Sequence, residues 1–286
     1  MAVKKRYPRY DAFLDVTKCS ARVNLDLTLE MRIGFRAINP ANGAATGTYN
    51  DYGSSSGTPR QIVKWTPAAW RAWKASFCSS AQAYWDSKFW IDNRLGAFAI
   101  KAGTNVFVPN GFCRFRLIGS DASEGFHHHT IDVVRLAASE SWFGSHATLY
   151  DSKDTNLVPK AYDSKGKPIL QRAHVHEIGH LLGLGHVAIG QRGCPATGNT
   201  NDTPCYGTSD QDKNSVMGGG MRLDTMHGAA WLGAFNDFAA AQPASRIYNP
   251  APAKRRASQL VMRRIYPRTV AEFEAGTLVT KLLPGR

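Results

Sequence analysis

From residue 21 to 36 apolar and polar positions alternate with a period of two. Val23, Leu25, Leu27, Leu29, Met31, Ile33 and Phe35 share one face, and Arg22, Asn24, Asp26, Thr28, Glu30, Arg32 and Arg36 the other. This pattern predicts one long strand with a buried face, or a strand with a bulge near Gly34. Residues 39–60 are rich in Gly, Ser, Asn and Thr and read as a surface loop. Thr66-Pro67 then opens a helix as N-cap and first-turn proline. Along it Trp70, Trp73, Phe77, Ala81 and Tyr84 recur at helical spacing, so an aromatic face should pack on the sheet. Short strand patterns follow at 112–118, 129–136 and 145–150. The pattern turns helical over about 169–182, where Val175, Ile178, Leu181 and Leu182 can face the sheet while His176 and His180 face a cleft. A last helix is expected over 223–241, ended by Pro243, with a further short helix or strand within 269–283. Strands and helices in this order make an α+β fold.

The helix over 169–182 carries the chemistry. Residues 176–186 read HEIGHLLGLGH, three histidines, a glutamate and a glycine at fixed offsets. His176 and His180 lie four residues apart, so both imidazoles leave one helix face a turn apart. Glu177 sits beside them as a base. Gly183 can take the positive φ that stops the helix, and the reversal brings back His186 as a third ligand. Three protein nitrogens on Zn²⁺ leave a fourth position for water, the arrangement of a catalytic rather than a closed structural site.

This run resembles the HExxHxxGxxH motif of the metzincin clan of zinc endopeptidases. A second element agrees. Asn214-Ser215-Val216-Met217-Gly218, with glycines to Gly220, resembles the metzincin Met-turn, which implies Met217 as the apolar floor under the three imidazoles. Two positions depart from the named subfamilies. Val187 follows the third histidine, and Gly219 stands where astacins and serralysins carry a tyrosine, so no switching tyrosine ligand is expected there. The resemblance implies a zincin fold: a twisted mixed sheet with a backing helix and an active-site helix, and a smaller C-terminal subdomain after the third histidine. On it the chain divides into a basic segment 1–20, a catalytic domain 21–242 with subdomains of about 21–183 and 184–242, and a basic extension 243–286. It implies an endopeptidase in which Zn²⁺ on His176, His180 and His186 activates water and Glu177 is the general base. The alternative is a non-catalytic, zinc-stabilised assembly or binding protein, against which the glutamate beside the metal site argues.

Charge changes the picture at the ends. Of a net +13, residues 1–10 carry +4 through Lys4, Lys5, Arg6 and Arg9, and residues 243–286 carry +7. The body between is nearly neutral. Such ends could bind an acidic partner, a carrier particle or nucleic acid, or stay solvated. No run of 18 apolar residues predicts a membrane span, and no apolar stretch behind the basic N-terminus predicts a secretory signal. A protease without a signal is expected to be cytoplasmic as made, and as an effector or toxin could leave by an injection apparatus.

Among five cysteines, Cys194 and Cys205 are the best-placed pair for a disulfide, worth ~2–3 kcal/mol in an oxidising compartment. Cys19, Cys78 and Cys113 read as small buried residues or free thiols. Asp210-Gln211-Asp212-Lys213-Asn214 has the alternating oxygens of a Ca²⁺ loop, without its later Gly and Glu. His127, His128 and His129 read as a turn feature, because strand alternation separates neighbours. His146 is placed on a strand edging the cleft, His174 on the exposed side of its helix, and His227 as a candidate for a pocket wall.

Overall fold

A computed structural model describes residues 2–15, 24–50, 59–93, 99–102, 105–107, 110–141, 148–241, 247–248 and 259–262. In chain order the strands are β1 (Ala2–Arg6), β2 (Asp11–Asp15), β3 (Asn24–Ile38), β4 (Thr46–Tyr49), β5 (Arg60–Val63), β6 (Phe89–Asp92), β7 (Ala99–Ala102), β8 (Asn105–Phe107), β9 (Asn110–Asp121), β10 (His129–Val134), β11 (Leu149–Asp151), β12 (Val158–Tyr162), β13 (Pro168–Gln171), β14 (Ile247–Tyr248) and β15 (Gln259–Met262). The helices are α1 (Pro67–Trp85), α2 (Ala173–Leu181), α3 (Asp210–Asn214) and α4 (Ala229–Ala241). The fold is mixed α+β, built on a twisted mixed sheet. It divides into two compact units. One comprises residues 1–30, 85–116 and 224–286, the other 31–84 and 117–223.

In the first unit the strand order is β1-β2-β3-β9-β6-β15. Residues 2–15, read from sequence as part of a basic leading segment, form a hairpin that joins the sheet, with Asp11 opposite Glu30. Both acids are fully buried. Lys4 and Arg6 pair with Asp11, Arg116 pairs with Glu30, and Lys5 pairs with Asp237 on α4. Lys4, Lys5 and Arg6 therefore have partners inside the chain. α4 buries Trp231, Phe235 and Phe238. Trp231 packs on Phe89 and Phe115 and donates its indole N–H to the carbonyl of Arg114 at 2.7 Å. The helix starts later than the apolar pattern suggests: Thr225–Gly228 is a 3-10 turn closed by a capping box between Asp224 and His227.

The second unit holds the candidate chemistry. β10 runs parallel to β3, and β11 parallel to β10. The alternation in β3 buries Met31, Ile33 and Phe35. No bulge occurs at Gly34: the β3–β10 register runs unbroken through it, opposite Thr130. α1 begins as read, with the Thr66 hydroxyl accepting from the amide of Ala69 at 3.2 Å. Its aromatic stripe is core. Phe35 meets the rings of Trp73 and Phe77 edge-on at 5.5 and 5.2 Å, and Phe77 meets Tyr150 at 5.3 Å.

Two local readings are corrected. The polar stretch 39–60 is not all loop: it contains β4, which pairs antiparallel with β5 beginning at Arg60, and Tyr49 packs against a cluster of Ile62, Val134, Leu136 and Leu149. The helix expected from 169 begins at Ala173, because 168–171 is the strand β13, paired to β12, with Ile169 and Gln171 buried. Period-two burial and helical burial coincide over so short a run, and pairing with β12 decides it. Cys19, His146 and the segment 269–283 lie outside the described residues. Among the described residues no helix is long and apolar enough to cross a membrane.

Candidate metal centre

α2 has an apolar face of Val175, Ile178 and Leu181, all buried. Its other face carries His176 and His180. The helix ends because Gly183 adopts φ of +99°, a backbone region that side-chain-bearing residues disfavour. The amide of Gly183 donates to the carbonyl of His180, and that of Leu184 to Gly179, both at 2.9 Å. The reversal returns His186 to the first two histidines. His180 Nε2 then lies 3.1 Å from Nε2 of His176 and 3.1 Å from Nε2 of His186. Among the described residues this is the one group of three or more His, Cys, Asp or Glu side chains positioned to hold a metal ion.

The other ring nitrogens show that the group fits a cation. Each Nδ1 faces a backbone carbonyl: Val216 for His176 at 2.7 Å, Leu184 for His180 at 2.8 Å, Thr200 for His186 at 2.6 Å. A carbonyl only accepts, so each Nδ1 carries the proton and each Nε2 a lone pair. Burial holds the His176 ring well below its ordinary pKa and lowers that of His186, which keeps both neutral. Lone pairs on His180 Nε2 and on the two Nε2 atoms 3.1 Å from it repel each other unless a cation sits among them. Nδ1–carbonyl bonds are also the outer contacts that orient metal-ligating histidines.

Four features surround this geometry; the sequence pointed to Met217 and to the Cys194–Cys205 pair, but not to Gln171 or Tyr206. Gln171, 4% exposed, donates its side-chain amide to the carbonyls of Val216, Gly218 and Gly220 at 3.2, 2.8 and 3.0 Å. It thereby ties the entrance of α2 to the turn that contains Met217. Met217 is buried in that turn, and its carbonyl accepts from the amide of Val187 at 3.0 Å, directly after the third histidine. Tyr206 lays its ring over His186, with centroids 4.0 Å apart. Cys194 and Cys205 form a disulfide across the intervening loop.

Glu177 is 7% exposed and borders a cavity of ≈ 330 Å³ with His176, Lys160, Tyr206 and Gly219. Burial, then the nearby Asp154, push its carboxyl up to about 8, against the opposing pull of Lys160. Lys160 is the unmatched residue where the β12–β13 register slips between Pro159 and Ala161. Such bulges re-aim a side chain, and here Lys160 borders the same cavity. Burial lowers its ammonium to about 8. A larger open pocket of ≈ 690 Å³, bordered by Lys167, Asp210 and Arg222, contains neither Glu177 nor any of the three histidines; the donor chemistry points to the smaller cavity.

The remaining candidates are engaged elsewhere. His174 is fully buried rather than exposed: its Nδ1 lies 3.0 Å from the carbonyl of Asp154 and its Nε2 2.7 Å from the hydroxyl of Ser80 on α1. His127 Nε2 meets the Ser120 hydroxyl at 2.8 Å, and His128 Nδ1 accepts from the amide of Arg32. His227 is buried in the first unit within the capping box of α4. Asp210 accepts from Ser164, and Asp212 from the Ser209 hydroxyl, so both brace the start of α3 rather than meeting around a common point.

Comparison with protein-family models, with curated proteins and with solved structures finds no match to this chain.

Proposed function

We propose that the chain is a zinc-dependent endopeptidase of the metzincin type, hydrolysing peptide bonds of a protein substrate. The observation that carries this reading is the set of three imidazoles with each Nδ1 tied to a carbonyl and the Nε2 atoms converging beside a buried glutamate. His176, His180 and His186 would hold the metal. Nitrogen ligands placed tetrahedrally about Zn²⁺ at its usual bond lengths would lie about 3.3 Å apart, close to the 3.1 Å from His180 Nε2 to each of the other two. Bound there, Zn²⁺ supplies Lewis acidity, making water nucleophilic near neutral pH and polarising a carbonyl.

Glu177 does the proton work. Its carboxylate takes a proton from the water as the water oxygen attacks the peptide carbonyl carbon, then delivers it to the amine nitrogen as the C–N bond breaks. A buried carboxyl with a raised pKa is suited to return that proton, and a cation beside it favours the ionised form needed first. The Met217 turn holds His176 through the Val216 carbonyl, and Gln171 holds the turn. The basic C-terminal extension, mostly outside the described residues, is proposed to engage an acidic partner or carrier, as for an effector protease.

The test is cleavage of casein or a peptide library by the wild type and Glu177→Gln. Chelator-sensitive cleavage is expected in the wild type. The variant should lose about 10²–10⁴ in rate while keeping its metal. Undiminished cleavage by a metal-loaded variant removes Glu177 from the mechanism, and no cleavage by the metal-loaded wild type removes the protease reading.

A further inference from the structure

The third histidine differs from the other two in what orients it. His176 and His180 take their Nδ1 carbonyls from Val216, in the turn braced by Gln171, and from Leu184, in the reversal that ends α2. His186 takes its carbonyl from Thr200, which lies inside the loop closed by Cys194 and Cys205. Apolar burial does little to hold that loop: Pro195 to Asn199 and Asn201 to Thr203 are exposed, and Thr200 is only partly covered. Its own hydrogen bonds are short-range, Asn199 to Asp202 and Asn201 to Asn199. Both cysteines, by contrast, are buried. The carbonyl of Cys205 accepts from the amide of Ala188 at 3.1 Å, and the next residue, Tyr206, covers the His186 ring. One covalent bond thus fixes both contacts of His186, the carbonyl behind its Nδ1 and the ring against its face.

We propose that the Cys194–Cys205 disulfide positions His186, so that the affinity of the three-histidine site for its metal depends on the disulfide being closed. Opening it is a two-electron reduction. A phosphine such as tris(2-carboxyethyl)phosphine attacks one sulfur, water supplies two protons and an oxygen, and the products are two thiols and the phosphine oxide. With the bond open, Thr200 keeps only weak local ties, Tyr206 loses the covalent anchor beside it, and His186 loses its fixed tautomer and direction. Removing such outer contacts lowers metal affinity by about 10–100-fold. A chain made in a reducing compartment would then hold its metal loosely and acquire a tight site on reaching an oxidising one. The consequence for hydrolysis rests on the function proposed above; the consequence for metal affinity does not.

The experiment measures Zn²⁺ affinity of the full chain by competition with a chromogenic chelator, in the oxidised protein, after phosphine reduction, and in Cys194→Ser/Cys205→Ser. Tryptophan fluorescence and far-UV circular dichroism in the same samples establish that the protein stays folded. Both open forms should bind Zn²⁺ about 10–100-fold more weakly, and reductant should not affect the double variant. The same comparison in a His186→Ala background separates positioning from general loosening, because opening the disulfide there should change affinity less than twofold. Should the serine variant not fold, phosphine reduction of the His186 protein and of His186→Ala carries the same comparison, with the loss of affinity confined to the protein that has His186. Affinity unchanged within twofold on opening the bond overturns the proposal, as does an equal loss with and without His186 or a failure to bind Zn²⁺ in the oxidised state. Redox-sensitive binding without any peptide cleavage would leave this inference standing and remove the protease reading; redox-insensitive binding with cleavage would do the reverse.

Discussion

Replacing Gln171 by Met tests what holds the metal centre in shape. The substitution keeps side-chain length and approximate volume, so it leaves little cavity. It removes two N–H donors that serve three carbonyls of the 216–220 turn. The carbonyl of Val216 keeps His176 Nδ1 as a partner at 2.7 Å, so Gly218 and Gly220 bear the loss. A buried acceptor deprived of its donor costs about 1–3 kcal/mol, and two of them roughly 2–6 kcal/mol. In urea unfolding, with a slope near 2 kcal/mol/M, the midpoint should fall by about 1–3 M. Freeing the turn also frees the carbonyl that orients His176, so Zn²⁺ affinity should fall about tenfold or more. A midpoint shift under about 0.2 M, or full affinity in a destabilised variant, would refute the view that this amide braces both turn and ligand.

Other outcomes follow from the same geometry. Burial lowers His174 from 6.5 to about 4, so on acidification the unfolded chain takes up the proton first. Its contribution is complete above pH 6.5 and is lost as pH falls towards 4, by about 3 kcal/mol. Urea unfolding of metal-free protein across that range should therefore show a shallower pH slope for His174→Gln, and parallel curves would contradict it. Gly218→Ala would put a methyl 2.7 Å from the carbonyl oxygen of Tyr206 and closer still to that of Asp212, both backbone atoms. The melting temperature should drop by roughly 5 °C, and an unchanged melt would mean the turn can yield. Zn²⁺ at a hundred times its dissociation constant should add about 2.7 kcal/mol to stability, reversed by chelator; no shift would make the histidines a core cluster only.

Spacing alone was enough to bring His176, His180 and His186 onto one candidate site, because helix pitch and one glycine reversal are local properties. The aromatic face of α1 and the buried face of β3 were legible for the same reason: burial periodicity follows from backbone geometry. What the chain could not announce depended on partners distant in sequence. Strand or helix at 168–171 was decided by pairing with β12. His174, on the polar side of no visible stripe, was buried by α1 through Phe77 and Ser80. Gln171 and Lys160 have no motif; one matters through carbonyls 45 to 49 residues away, the other through a slipped register beside Glu177. The local sequence therefore determined the candidate metal-ligand set, the glutamate proposed as its base and the helix that carries them. Only the tertiary structure decided which carbonyls orient each imidazole and what closes the cavity beside the base, because those contacts join segments whose approach no local periodicity encodes.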